Sequence, residues 1–113
     1  MGDCLFCRMV RGEVPVDKLY EDDLVIAVLD INPRAPVHFM VIPKEHIATA
    51  KDIRGEHGPL LSRIFTTASR VAKDEGVHES GYRLALNVGD DAGMTVPHLH
   101  LHCLGGRRLG PEG

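Results

Sequence analysis

Three histidines near the C-terminus, His98, His100 and His102, alternate with apolar residues along one short stretch. A spacing of two matches the β-strand, in which residues i, i+2 and i+4 point to the same face. In a helix the three side chains would spread over about 200° and share no face. The pattern therefore predicts a strand that presents three imidazoles on one face and turns the intervening residues of 99–103 toward a core.

Three neighbouring imidazoles suit chemistry at phosphorus. A neutral imidazole can attack an electrophile, and imidazoles beside it can donate hydrogen bonds to the oxygens of a phosphate. Attack at phosphorus would give a phosphohistidine-type intermediate that water then resolves. Because His100 has a histidine on either side, it is the predicted nucleophile. The alternatives are a histidine-rich surface strand or a metal-capture tract, although such tracts are typically uninterrupted.

A glycine-containing loop over residues 89–95 leads directly into the histidines. Backbone N–H groups in such a loop can form a concave site for an anion. We therefore expect the N–H groups around Gly93, Met94 and Thr95, together with the Thr95 hydroxyl, to face the same phosphate as His100.

Composition limits the classes of function. The chain has 113 residues, 43% hydrophobic and 26% charged, which predicts one globular domain spanning residues 1–113. A net charge of -3 and a pI near 6.1 argue against a nucleic-acid polymer or a membrane surface as partner. The three cysteines and the lack of a secretion-signal pattern predict a reducing, cytoplasmic location.

The periodicities predict an α+β fold with a five-stranded antiparallel sheet, one short N-terminal helix and one long helix. The predicted strands are 18–21, 24–29, 37–42, 82–88 and 97–104, and the predicted helices are 4–11 and 59–75. The polar, turn-like surroundings of His57 and His78 predict that both lie on the surface.

Residues 98–104 have the form His-φ-His-φ-His-φ-φ, where φ is apolar, and this resembles the histidine triad superfamily. The likeness extends over most of the chain, and its further segments are 3–13, 20–23, 30–33, 35–39, 41–47, 82–83 and 104–107. Together they are similar to the branch of small nucleotide-binding proteins that act as purine nucleoside phosphoramidases. This branch cleaves P–N bonds in AMP- or GMP-type phosphoramidates and needs no metal for catalysis.

The resemblance implies a role for each histidine of the set. His100 would be the nucleophile that becomes nucleotidylated, and His102 would bind the α-phosphate. His98 would support His100, and His38 matches a fourth histidine that helps to hold the others. The family also implies a homodimer whose two sheets join into one of ten strands.

The resemblance also implies the contacts of a purine nucleotide. Asp30 would take the ribose hydroxyls, and Asn87 and Thr95 would contact the phosphate and the leaving group. The purine would lie in an apolar slot, for which plain core packing is the alternative. The slot residues are Leu5, Phe6, Met9, Val28 and Ile31.

Cys4 and Cys7 have the spacing of two thiolate ligands, half of a tetrahedral zinc shell. His46 and His98 would complete the shell, as in some bacterial members of the family, and this zinc would be structural. The alternative is a pair of buried thiols without metal.

Two other functions compete with the phosphoramidase. The dinucleoside polyphosphate hydrolases share the triad, but they typically carry glutamines where Asn87 and Met94 stand and lack the Gly-Gly-Arg of residues 105–107. A non-catalytic nucleotide- or zinc-binding partner protein is the third possibility. The chain also departs from its relatives in two ways: it has no C-terminal tryptophan, and Val28 occupies a frequently aromatic position.

Overall fold

The computed structural model describes residues 4–113, so residues 1–3 of the predicted domain lie outside the described part. The helices and strands follow the predicted order. They are α1 (Leu5–Val10), β1 (Lys18–Glu21), β2 (Val25–Leu29), β3 (Val37–Pro43), α2 (Gly58–Asp74), β4 (Tyr82–Ala85) and β5 (Leu101–Gly105). None of the helices in this part is long and apolar enough to cross a membrane.

The five strands form one antiparallel sheet in the order β1-β2-β3-β5-β4, which confirms the predicted α+β architecture. β3 lies at the centre and pairs with β2 on one side and β5 on the other. In this register Met40 is opposite His102, and His38 is opposite Leu104. Residues directly opposite each other share a face, so β3 and β5 bring His38 and His102 together.

The long helix covers one face of the sheet. Its apolar stripe packs on the buried side chains of β2, β3 and β5. Leu99, Leu101 and Cys103 join this core, as the alternation predicts. Phe65 points away from it and is 46% exposed. Burying each large apolar side chain of the stripe contributes about 1.5–3 kcal/mol.

The opposite face carries α1 and the histidines. Phe6 and Met9 of α1 pack on a smaller core with Ile26, Met40 and Ile42. Gly12, with φ of +78°, ends the turn after α1, a conformation that favours glycine. The histidine side chains therefore emerge beside α1, on the face that α2 leaves open.

Two strands are three residues shorter than predicted. β4 ends at Ala85, so Asn87 follows the strand. β5 begins at Leu101, because the Leu99 N–H donates to the carbonyl of Ile47 (2.7 Å) before the strand pairing starts. The alternation of side chains continues through this unpaired stretch.

The prediction that His57 lies on the surface is wrong, although His78 is exposed as expected. His57 is only 6% exposed. Its Nδ1 accepts the backbone N–H of Arg54 (2.9 Å), and its Nε2 lies 3.4 Å from a carboxylate oxygen of Glu45. These partners satisfy both ring nitrogens, which allows the ring to be buried.

Asp22 organises the turn between β1 and β2. Its carboxylate accepts the N–H groups of Leu24 and Val25, the Tyr20 hydroxyl and the Arg63 guanidinium at 2.8–3.0 Å. Burial alone would raise the pKa of Asp22, but these donors hold it well below its usual range.

We expect Asp22→Ala to lower the free energy of unfolding by about 2–3 kcal/mol, because it leaves several donors without their acceptor. Asp23→Ala is the matched control, since that side chain is 83% exposed. Urea unfolding of both variants measures the difference. Equal stabilities would show that the carboxylate does not hold the turn.

Candidate active site

Four imidazoles lie in a row across the open face of the sheet. The ring centroids of His38 and His102 are 5.2 Å apart, and those of His102 and His100 are 4.9 Å apart. His98 follows at the other end, and all four are buried. The Phe6 ring meets His100 and His98 edge-on, with centroid distances of 4.9 and 5.8 Å. This aromatic packing limits the rotation of both rings.

The hydrogen bond of His100 assigns its tautomer. Its Nδ1 lies 2.7 Å from the carbonyl oxygen of His98, which can only accept, so Nδ1–H donates. The neutral ring then carries a lone pair on Nε2. His100 also lines a cavity of about 860 Å³. A neutral imidazole held in this way can act as a nucleophile in that cavity.

A hydrogen-bond chain gives His102 the opposite character. The Arg34 N–H donates to Nδ1 of His38 (3.1 Å), so the proton of His38 is on Nε2. This Nε2–H faces Nδ1 of His102 at 3.0 Å. His102 therefore accepts at Nδ1 and keeps its own proton on Nε2. His100 can therefore attack through Nε2 while the neighbouring His102 donates a hydrogen bond from its own Nε2–H.

Burial lowers the pKa of His38, His98 and His100, and it lowers that of His102 to about 4. For His102, the neighbouring imidazoles of His100 and His38 add to this effect. Desolvation disfavours the imidazolium form, so the rings are neutral near pH 7. A neutral His100 is the form that nucleophilic attack requires.

The cavity beside these rings has a volume of about 860 Å³, within the range of small-molecule sites. One wall is apolar and comes from α1 and the loop after β2. Ile31 in that loop is 86% exposed and Leu5 is 39% exposed, so both add apolar surface to the same cavity wall. The predicted site residues that line the cavity are Leu5, Phe6, Met9, Asp30, Ile31, Asn87, Gly93, Thr95, His100 and His102.

A second cluster lies at the His98 end of the row and could hold a metal ion. The donor atoms of Cys4, Cys7, His46 and His98 all lie within 4.8 Å of one another. His98 Nε2–H donates to the Pro43 carbonyl (2.8 Å), so its Nδ1 lone pair faces the two thiols and His46. Burial, with Cys4 beside it, raises the pKa of the Cys7 thiol.

Comparison of the sequence with known proteins identifies its family. The HIT domain family matches residues 11–109 of the chain. The chain belongs to the HIT domain family. A purine nucleoside phosphoramidase of Escherichia coli K12 is 45% identical to this HIT protein over 109 residues, which cover 96% of this chain and 92% of the relative.

Solved structures agree with this assignment. A HIT family hydrolase from Legionella pneumophila has a TM-score of 0.96 and 45% identity, and the match covers 98% of this HIT protein and the whole of that chain. A HIT family hydrolase from Clostridium thermocellum has a TM-score of 0.95 and 50% identity, covering 98% and 96% of the two chains.

The predicted support of His100 by His98 corresponds to the hydrogen bond at the main-chain carbonyl of His98, while its side chain faces the cysteines. The structure corrects two other expectations about this HIT protein. Val28 is fully buried and does not line the cavity, so it cannot contact a base directly. The N–H groups of Gly93 and Met94 donate to carbonyls inside the loop and are not free for an anion.

Several lining residues were not predicted from the sequence: Pro15, Val16, Asp17, Leu29, Asn32, Arg34, Met40, Ala92 and Val96. A signal existed for some of them. Met40 shares the strand face of His38 by its spacing of two, and Asn32 and Arg34 lie on the loop that Asp30 begins. No such signal marks Pro15, Val16 and Asp17. They line the cavity because residues 13–17 fold past α1.

Asp30, His38 and His102 form another group of potential metal ligands in this HIT protein. The Arg34 N–H keeps the proton of His38 on Nε2, the atom that faces the group. Asp30 Oδ2 lies 3.3 Å from that nitrogen, and Asp30 Oδ1 accepts the N–H of Asn32 (2.9 Å). A protonated nitrogen does not bind a metal, so the group works as a hydrogen-bond chain.

The lowered pKa of His102 predicts a stability that depends on pH. The unfolded chain binds a proton at a His pKa of about 6.5, and the folded ring binds it only near 4. The free energy of unfolding should therefore be highest above about pH 6.5 and fall as the pH drops toward about 4. Urea unfolding across this window, with His102→Gln flattening the decline, checks it. An unchanged decline in the variant would contradict the assignment.

Proposed function

We propose that the protein is a purine nucleoside phosphoramidase that cleaves the P–N bond of AMP- or GMP-type phosphoramidates through a covalent nucleotidyl-histidine. The observation that carries the proposal is the lone pair on His100 Nε2, fixed by the bond from Nδ1–H to the His98 carbonyl, in a ring that lines the cavity. The 45% identity to a purine nucleoside phosphoramidase over nearly the whole chain supports it.

The first step is attack by His100 Nε2 on the α-phosphorus. A bond from Nε2 to phosphorus forms as the P–N bond of the substrate breaks, and the amine leaves with that electron pair and takes up a proton from solvent water. The Nε2–H of His102 can donate to a non-bridging oxygen, where charge develops in the transition state. His38 acts through His102, because its Nε2–H holds the His102 ring in the donating tautomer.

Water completes the reaction. It attacks the phosphorus of the nucleotidyl-histidine and loses a proton to the solvent, the bond to Nε2 breaks with its electron pair returning to Nε2, and the nucleoside monophosphate is released. His100 returns to its neutral form and needs no metal in either step. Splitting one displacement into two easier ones is the advantage of covalent catalysis.

The cavity walls suit a purine nucleoside. Leu5, Phe6, Met9 and Ile31 offer apolar surface for the base, and the exposure of Leu5 and Ile31 leaves that surface open to a ligand. Asp30 can accept from the ribose hydroxyls at the same rim. Asn87, Gly93 and Thr95 line the phosphate side of the cavity. The proposed partner is thus a small nucleotide and not a nucleic-acid polymer or a membrane.

A dinucleoside polyphosphate hydrolase is the second candidate, since it would use the same triad. The experiment compares the turnover of adenosine 5′-phosphoramidate with that of diadenosine triphosphate. We expect the phosphoramidate to have the higher kcat/KM. Faster cleavage of the triphosphate would assign the second function, and tight AMP binding without turnover of either substrate would indicate a non-catalytic binding protein.

We further propose a structural Zn²⁺ at Cys4, Cys7, His46 and His98. A tetrahedral zinc with bonds of about 2.3 Å to sulfur and about 2.05 Å to nitrogen requires N–N edges of about 3.3 Å and S–N edges of about 3.5 Å. The corresponding separations are 3.1 Å for N–N and 3.3–3.6 Å for S–N, so the residues fit. The metal would tie the first turn of α1 to the residues before β5.

The proposed enzyme is a single domain that works as a homodimer in the cytoplasm. The strand β4 lies at one edge of the sheet, where a second copy could extend it to ten strands. The three free thiols suit a reducing compartment. Analytical ultracentrifugation tests the dimer, and a monomer mass at all concentrations would contradict it.

A further inference from the structure

A second, smaller cavity of about 420 Å³ opens beside the nucleotide cavity. Its walls are mostly apolar and consist of Cys4, Leu5, His46, Ala48, Thr95, Val96 and Pro97. Leu5, Thr95 and Val96 line both cavities, so the two spaces adjoin along a shared wall. We call the smaller space the side cavity.

The contacts proposed above hold the nucleoside and the phosphate of the substrate, but they assign no binding site to the leaving amine. The nucleoside occupies the apolar wall of the larger cavity, and the α-phosphorus lies at His100 Nε2. The amine must point in a different direction from the nucleoside, because both are substituents of the same phosphorus atom. Thr95 lines the larger cavity together with His100 and also lines the side cavity. The side cavity is therefore the neighbouring space that the nucleoside leaves free.

The side cavity suits an apolar substituent. Leu5, Val96 and Pro97 offer hydrocarbon surface, and no side chain of Asp, Glu, Lys or Arg lines it among the described residues. The donor atoms of Cys4 and His46 face the metal cluster. The small side chain of Ala48 leaves room that a larger residue would fill.

We propose that the side cavity is a subsite for the apolar or aromatic side chain of the leaving amine, and that it selects phosphoramidates of bulky amines. This rests on the proposed phosphoramidase function. An amine with a side chain that fills the subsite gains binding energy that a small amine lacks, and one methylene group in an apolar pocket is already worth about 10- to 200-fold in discrimination.

The test compares two adenosine 5′-phosphoramidates, one of methylamine and one of 2-phenylethylamine. Both carry primary alkylamine leaving groups of similar basicity, so their kcat/KM ratio reports contacts with the side chain. We expect the wild-type protein to prefer the phenylethyl substrate by about tenfold or more. Ala48→Leu should bring this ratio close to one without lowering kcat/KM for the methyl substrate.

Ala48→Ser is the matched control, since it keeps the space open and should keep the wild-type ratio. Ala48 lies two residues from His46, so the metal content of each variant is also measured. If Ala48→Leu does not fold, Ala48→Val takes its place. A wild-type ratio near one, or a ratio that Ala48→Leu leaves unchanged, overturns the subsite. Absence of turnover with both substrates in the wild-type protein would instead refute the proposed function.

Discussion

Replacement of His100 by alanine should reduce kcat/KM for adenosine 5′-phosphoramidate by at least about 10³-fold. The variant loses the free lone pair that the hydrogen-bond assignments place on Nε2 of His100, whereas the lone pair on His102 Nδ1 already accepts from His38 Nε2–H. Covalent catalysis then has no nucleophile. AMP should still bind, because the apolar wall of Leu5, Met9 and Ile31 and the Asp30 carboxylate are untouched.

His78→Ala is the control for this measurement, because His78 is an exposed histidine that does not line the cavity. It should keep wild-type turnover. Initial rates of AMP release, with AMP affinity measured by calorimetry, separate loss of chemistry from loss of binding. Activity of the His100 variant within tenfold of the wild type would remove His100 as the nucleophile.

Removal of the proposed Zn²⁺ should have the second-largest effect. The cluster joins α1, through Cys4 and Cys7, to His98, whose carbonyl orients His100. Free metal at about 1,000 times its Kd would stabilise the folded protein by about 4 kcal/mol, and a chelator removes that contribution. A helix of six residues is not stable alone, and α1 supplies Leu5, Phe6 and Met9 to the cavity. We therefore also expect AMP affinity to fall about tenfold.

Cys7→Ser should reproduce the effects of the chelator, whereas Cys103→Ala should retain the metal. Cys103 is a free thiol buried in the core under α2 and is not part of the cluster. Metal analysis of untagged protein, thermal unfolding and AMP titration give three readouts. Metal-free protein with unchanged thermal stability and unchanged AMP affinity would contradict the structural role.

The sequence predicts the face of the triad because alternation does not depend on strand pairing. His98 and His100 precede the hydrogen-bonded part of β5, yet they lie on the same side as His102. The α2 stripe is predicted for a similar reason, since a period of 3.6 over 17 residues identifies one buried face. Both predictions rest on local geometry.

Other features depend on partners that are distant in the sequence. The tautomer of His98 is fixed by the carbonyl of Pro43, 55 residues away. His57 is buried because Glu45 and the backbone of Arg54 satisfy its ring, and neither contact has a sequence pattern of its own. The hydrophobicity of a residue also does not show whether it lies beneath a cavity or in the cavity wall. This is why the prediction that Val28 lines the purine slot is wrong.

If His100 is the nucleophile, the α-phosphorus bonds to its Nε2 during turnover. The most direct measurement mixes the protein with adenosine 5′-phosphoramidate, stops the reaction within milliseconds in alkaline denaturant and maps the adduct by peptide mass spectrometry. We predict one adenylyl group per chain, attached to His100 and absent from His100→Ala. Continued release of AMP with no adduct, or an adduct on any other residue, would show that His100 is not the covalent nucleophile.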